Sequence, residues 1–245
     1  TPDSIARRLA CLCTGSIIET DYSRFDGTIS SWLQDVAKSA YFRWLALDEH
    51  PVLHKHYSEV FRKRAISAQG YKFAAGTGTR SGSPITTDAN TMINAFVNYA
   101  VYRKLGLNPA EAYKQLGMYA GDDGITRDRP GALEALMTVT RDLGLTVKCE
   151  VIAPNSRTTF LSRVFPHPVT SPSSFQCLKR TLPKLHLTAA RGLEACQAAF
   201  NKASGYLVTD RRTPLLSAWC LKVMELAGVT KMHNATSEEI FKLTQ

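Results

Sequence analysis

"YAGDDGIT", Tyr119–Thr126, sets two adjacent carboxylates between two glycines, with apolar or β-branched residues on both sides. Asp-Gly between β-rich flanks is a hairpin signal, so residues 116–126, "LGMYAGDDGIT", read as strand, tight turn, strand. Alone, the Asp-Asp-Gly tripeptide reads as readily as a solvated turn, because Asp and Gly are favoured turn formers. Two neighbouring carboxylates repel, and at neutral pH they are tolerated with a cation or with raised pKa values. The rest of the chain must say which.

The chain has 245 residues, 44% of them hydrophobic and 9% aromatic, enough for a folded protein with a buried core. Thirty Lys and Arg against 21 Asp and Glu leave a net charge of +9, which favours polyanionic partners such as nucleic acid or an anionic membrane. Cysteines at 11, 13, 149, 177, 196 and 220 show neither Cys-x-x-Cys spacing nor His partners at zinc-finger intervals, so reduced and mostly buried thiols are expected. No stretch approaches about 18 uninterrupted apolar residues, and "TPDSIARRLA" lacks the plan of a signal peptide. The chain begins at Thr1 and runs quickly into an apolar strand-like stretch, which predicts a longer parent polypeptide.

"GSIIETD", 15–21, is a β-branched run ending in Asp and predicts a strand. Residues 27–48 carry Ile29, Leu33, Val36, Ala40 and Trp44 near helical spacing, with Thr28 or Ser30 as the cap. "PVLHKHYSEVFRKR" reads as a second, basic helix with Pro51 in its first turn, and 70–82 as a glycine-rich extended stretch. Ser83-Pro84 opens the strongest helix signal, with an apolar stripe of Ile85, Ala89, Met92, Phe96 and Tyr99 and a stop at Gly106. "PGALEALMTVTRDLG" predicts a capped amphipathic helix, "LTVKCEVI" and "TFLSRVF" predict strands, and helices are expected near 188–203 and 214–227. This order predicts an α+β fold, an antiparallel sheet backed by helices and followed by a helical tail.

An Asp ending one strand and an Asp pair in a hairpin converge if strand and hairpin are sheet neighbours. Asp21 alone reads equally as a helix cap. The company these residues keep is "DYSRFD" (21–26), "SGSPITTDANT" (81–91) and "YAGDD" (119–123), in that order. Here the chain resembles the palm of RNA-dependent RNA polymerases of positive-strand RNA viruses. The family's first motif, Asp, four residues, Asp, is matched by Asp21 and Asp26. Its second, Ser-Gly, three residues, Thr, three residues, Asn, is matched by Ser81, Gly82, Thr86 and Asn90, and its third by Gly121, Asp122 and Asp123. Looser matches follow in "LGLTVKCEVI", offering Lys148, and "FLSRVF", offering Arg163. "SGSP", "GDDG" and "FLSR" lean towards nodavirus-like replicases.

The resemblance implies a right-hand polymerase palm, with an antiparallel sheet of RRM-like type, over residues 1–166 with part of the fingers. A mainly helical start of the thumb would follow over 167–245. It implies template-directed RNA synthesis from ribonucleoside triphosphates by two-metal nucleotidyl transfer, with two Mg²⁺ or Mn²⁺ ions held by Asp21, Asp122 and Asp123. Asp26, Thr86 and Asn90 would form a polar pocket for the ribose hydroxyls, and Ser81 and Gly82 the turn before their helix. Lys148 would protonate the departing pyrophosphate, although an outward strand lysine is the plain alternative. Arg163 would hold the primer strand unless it is a surface ion pair, and Arg80 would touch nucleic acid. Arg62-Lys63-Arg64 and Lys179-Arg180 read first as solvated faces. Partners implied are template and nascent RNA and other parts of a replicase in host-cytoplasmic replication complexes, with membrane attachment through regions outside this chain.

The family's basic fingers motif lies well upstream of the first motif, and only 20 residues precede Asp21. The fingers are therefore expected to be largely missing, and the isolated chain to polymerise poorly. A reverse transcriptase shares the palm, but an aromatic residue commonly stands there where Asp26 stands here. A non-enzymatic RNA-binding module explains the charge and leaves the three ordered motifs without a purpose.

Overall fold

Ile17–Tyr22 forms the strand around which the larger half of the molecule is built, in a computed structural model that describes residues 1–61, 64–188 and 192–227. It follows helix α1 (Pro2–Leu12) and is labelled β1. Next come α2 (Phe25–Thr28), α3 (Ser31–Trp44), α4 (His50–Phe61), the short pair β2 (Ala65–Ile66) and β3 (Lys72–Phe73), α5 (Thr86–Lys104) and α6 (Pro109–Lys114). The hairpin strands β4 (Met118–Ala120) and β5 (Asp123–Arg127), α7 (Ala132–Asp142) and β6 (Val147–Ile152) complete it. The four-stranded sheet has the order β4-β5-β1-β6 with every pair antiparallel.

Over residues 18–22 the strand alternates as a half-buried strand should. Ile18, Thr20 and Tyr22 go under helices, while Glu19 is half-buried and Asp21 is exposed. The covering layer is α3, α5 and α7, whose Leu33, Ala37, Ile93, Val97, Leu136 and Val139 close over Ile18, Tyr22 and Val147. The cap of α3 is Ser30, whose hydroxyl accepts from the Leu33 amide. Removal of such a cap costs about 1 kcal/mol.

Three details depart from the sequence expectations. The hairpin loop is Gly121-Asp122 rather than Asp123-Gly124, since Ala120 already pairs with Asp123. Gly121 carries φ +62° at the first loop position, where hairpins of the II′ kind place glycine. The buried face of α5 is rotated from the apolar stripe: it carries Ala89, Asn90, Ile93, Asn94, Val97, Asn98, Val101 and Tyr102, with Met92 and Phe96 packed at its margin. Asparagines at every fourth position displaced the expected phase because they have partners inside. The start of α7 is not capped by a side chain; Gly131, at φ +80°, turns the chain into the helix.

A second compact unit takes Thr1–Arg7 with the described residues from Arg157 on. In it β7 (Thr158–Phe160), β8 (Arg163–Phe165) and β9 (Phe175–Gln176) form one antiparallel three-stranded sheet. After α8 (Leu178–Thr181) come α9 (Ala195–Asp210) and α10 (Leu216–Leu226), packed through Ala203, Leu216, Cys220 and Met224. The expected helices near 188–203 and 214–227 are thus present with shifted starts, and residues 189–191 lie outside the described ones, as do Arg62 and Lys63. All six cysteines are free, but only Cys13 and Cys220 are buried, fewer than expected. Among the described residues no helix is long and apolar enough to cross a membrane.

Candidate active site

The first motif bends sharply after β1. Arg24 sits in the left-handed region at φ 54°, which swings Phe25 into the core and leaves Asp26 in the first turn of α2. The loop of residues 75–82 then lies across Asp26: the Thr79 amide donates to the Asp26 carbonyl at 2.7 Å. Gly78 is required here, because a Cβ would stand 2.5 Å from that same carbonyl oxygen. A change to alanine at Gly78 would force backbone against backbone.

Both oxygens of the Asp26 carboxylate have partners. Asn90 Nδ2 donates to Oδ1 at 2.6 Å, the Ser81 hydroxyl donates to Oδ2, and Asn90 Oδ1 in turn accepts from the Thr79 hydroxyl at 3.2 Å. The structure therefore brings Asp26, Ser81 and Asn90 together, and Gly82 at φ +85° turns the chain behind them. Thr86 is nearby but its hydroxyl donates to the Arg80 carbonyl at 2.6 Å, holding the turn that precedes α5.

A cavity of about 540 Å³ joins this cluster to the acidic hairpin, lined by Tyr22, Arg24, Asp26, Ser81, Thr86, Asn90, Gly121 and Asp122, among others. Tyr22 has a buried hydroxyl without a hydrogen-bond partner, and burial raises its pKa far above the usual tyrosine range, so it is a neutral phenol. Strand register supplies the remaining candidates. Thr20 pairs with Gly124, so Asp21, one residue further, comes level with Asp123 at the start of β5. On the other side Asp21 pairs directly with Lys148. Neighbouring strands are about 4.8 Å apart, so Asp123, Asp21 and Lys148 form a row across one sheet face with Asp122 at the loop. Asp21, Asp122 and Lys148 are exposed.

One expectation is corrected. Arg163 does not reach outward: it is 5% exposed and its guanidinium meets the buried Asp210 carboxylate at 2.8 Å. Arg80 is likewise engaged inside its own loop, with Nη2 donating to the Gly76 carbonyl at 2.7 Å and Nη1 to those of Ala75 and Gly78 at 3.1 Å. Arg163 satisfies a buried carboxylate, which accounts for an Arg at that position without nucleic acid.

Residues that the motifs did not flag also reach the site. Asn94, with Thr91 beside it on α5, contacts the acidic loop: Thr91 Oγ1 accepts from the Gly121 amide at 2.8 Å. The signal was available in the recurrence of Asn at 90, 94 and 98, one face of a helix otherwise buried among apolar neighbours. Arg24, the cation at the cavity wall, carried no such signal.

For a metal, carboxylate oxygens are the donors that Mg²⁺ or Mn²⁺ takes, and Asp21, Asp122 and Asp123 lie at one end of the sheet. Among the described residues no three acidic, His or Cys side chains are already gathered into a closed metal-binding group. The fit is one of donor chemistry and strand register, in an open, solvent-facing site.

Comparison with known proteins decides the family. A profile described as viral RNA-dependent RNA polymerase matches residues 3–177. The chain belongs to that family. It is 44% identical over 248 aligned residues to the RNA-directed RNA polymerase of Pariacoto virus, covering 100% of this chain and 26% of the relative. The corresponding protein of Nodamura virus is 37% identical, with 91% of this chain and 22% of that protein covered. The chain thus spans about a quarter of the length of these curated relatives. Among solved structures, the RNA-dependent RNA polymerase of a human picorbirnavirus superposes with a TM-score of 0.75 at 19% identity, over 99% of this chain and 49% of that one. That likeness establishes a shared fold, α+β with antiparallel sheets. Viral polymerases of this family generally work with divalent metal ions, on RNA and nucleotide substrates, in host cells.

Proposed function

We propose that this chain is the palm, with part of the fingers and the start of the thumb, of a viral replicase that copies RNA from an RNA template. The observation that carries the reading is the single cavity in which Asp26, Ser81 and Asn90 meet Gly121 and Asp122, residues from three separate sequence motifs. A chance hairpin would have no reason to open onto that cluster.

Asp21 and Asp122 would hold two Mg²⁺ or Mn²⁺ ions, with Asp123 in support. When bound, such ions stabilise the attacking 3′ oxygen and the departing pyrophosphate. The chain's own groups do the rest. Asp26, held by Asn90 and Ser81, presents a polar edge suited to ribose hydroxyls, and the small Gly121 leaves room for backbone to approach. Lys148, paired with Asp21 in the strand register, would give a proton to the leaving group. The remaining fingers and thumb, contacts with membranes, and assembly in host-cytoplasmic replication complexes would belong to other parts of a longer replicase.

The test is incorporation of ribonucleotides on an RNA template by the complete replicase, with added Mg²⁺, for the wild type and Asp122→Ala. Equal incorporation by both proteins overturns the reading. Deoxynucleotides in the same assay should be used poorly by the wild type.

A further inference from the structure

We propose that Asn94 is the positioning residue of the acidic loop: its side-chain amide holds the backbone of Gly121, Asp122 and Asp123 in the arrangement that presents the carboxylates. The proposal rests on the polymerase reading above and concerns a residue that touches no substrate. Asn94 is completely buried. Its Nδ2 lies 3.2 Å from each of three successive carbonyl oxygens, those of Gly121, Asp122 and Asp123. An amide NH₂ has two protons, so the three carbonyls share them, and the nitrogen acts as a hub around which the loop is wound.

The physical need is electrostatic as well as steric. Three carbonyl oxygens converge behind the two carboxylates, and each left unsatisfied in a buried setting costs about 1–3 kcal/mol. A donor at that point satisfies them and sets the partial positive charge of its N–H groups behind Asp122 and Asp123. The hub is itself oriented. Asn98 Nδ2 donates to Asn94 Oδ1 at 3.2 Å and to its backbone oxygen at 3.0 Å, which fixes which end of the amide faces the loop. Gly124 admits it: a Cβ there would stand 3.1 Å from Asn94 Nδ2 and 2.5 Å from Thr20 Oγ1. Thr91 completes the grip by accepting from the Gly121 amide. Asn90 at one end of the face holds the Asp26 carboxylate, while Asn94, one turn on, holds the metal-side loop.

The test uses two substitutions in the complete replicase. Asn94→Asp keeps the shape but, ionised, has no donor for the three carbonyls; Asn98→Ala leaves the loop contacts in place and removes the brace on Asn94. Amide hydrogen exchange of residues 118–127 is read without metal or substrate, and ribonucleotide incorporation is read as a function of Mg²⁺ and of nucleotide. For Asn94→Asp, loop exchange should rise about tenfold and the Mg²⁺ needed for half-maximal rate should rise roughly 10–100-fold, as for other outer supports of metal ligands. The nucleotide KM should stay within about twofold, because the Asp26 cluster is intact. Asn98→Ala should shift both readouts in the same direction by about threefold, and it decides the matter if Asn94→Asp does not fold. Unchanged loop exchange and unchanged Mg²⁺ requirement in the folded variant overturn the proposal, as does a loss of rate that follows only the folded fraction. A wild type that incorporates nothing would instead overturn the polymerase reading, while the exchange measurement would still report on Asn94.

Discussion

Asn90 gives its amide to the Asp26 carboxylate across 2.6 Å, joining two sequence motifs that are 64 positions apart. With the Ser81 hydroxyl on the other oxygen, the bond orients a carboxylate in the first turn of a one-turn helix. If Asp26 reads the sugar, Asn90→Ala should raise the ribonucleotide KM about tenfold and narrow the preference for ribo- over deoxynucleotides, since a site built to hydrogen-bond a hydroxyl discriminates through it. Steady-state incorporation with paired rNTP and dNTP substrates checks this. An unaltered sugar preference would place Asp26 outside substrate recognition.

Asp122 and Asp123 are neighbours with different surroundings. Asp122 is in the two-residue loop and lines the cavity, whereas Asp123 begins β5 and pairs with Ala120. Asp122→Ala should lower the incorporation rate by roughly a thousandfold, and Asp123→Asn by less, because loss of a preorganised charge at the reacting centre costs about 10²–10³. Single-turnover incorporation at saturating Mg²⁺ gives the comparison.

The Arg163–Asp210 pair ties the β7-β8-β9 sheet to the end of α9, with further donors to Asp210 from Thr209, Thr213 and the Gln176 amide. Burial pushes the Asp210 carboxyl up, but these donors, led by Arg163, more than offset it and hold it below its ordinary value of 3.8. A carboxyl depressed on folding contributes stability that is present above the unfolded value, and that contribution is lost as pH falls through the lower folded one. Urea unfolding should therefore show the contribution intact at neutral pH and declining below about pH 4. Arg163→Ala should cost about 3–5 kcal/mol at pH 7, since it leaves a buried carboxylate unpaired. A surface role for Arg163 would give a small loss and a change in RNA affinity instead.

The β7-β8 hairpin turns on Leu161 and Ser162, both in the left-handed region at φ 50° and 61°. Neither residue prefers that conformation, and each such position costs of order 1–3 kcal/mol. Replacing the pair by Asn-Gly, the residues a two-residue loop of this type favours, should stabilise the protein by about 1 kcal/mol or more. Chemical denaturation checks it. If stability rises while primer-dependent synthesis falls, the exposed Leu161 has a use beyond the turn.

How much of this was legible in the chain differs from residue to residue. The resemblance carried by the three motifs grouped Asp26, Asn90 and Asp122, which line one cavity, whereas Asp21 comes near the acidic hairpin only through strand register. The antiparallel sheet and the α3, α5 and α7 layer also followed from period and punctuation. The phase of α5 did not: a hydrophobic stripe assumes that buried means apolar, and Asn90, Asn94 and Asn98 are buried because partners wait for them. Arg163 misled for the related reason that charge in a sequence does not tell a solvent-facing cation from one enclosed by oxygens.

By itself the sequence determined the family, the α+β class and which acidic residues are candidates, since these depend on residue type and on spacing along a chain whose local geometry is regular. Only the tertiary structure decided that Asn94 gathers three carbonyls of the loop, that Asp21 pairs with Lys148 while Thr20 beside it pairs with Gly124, and that Arg163 is held by Asp210. Those relationships join residues from different elements, and whether a polar group is satisfied depends on what folding brings beside it.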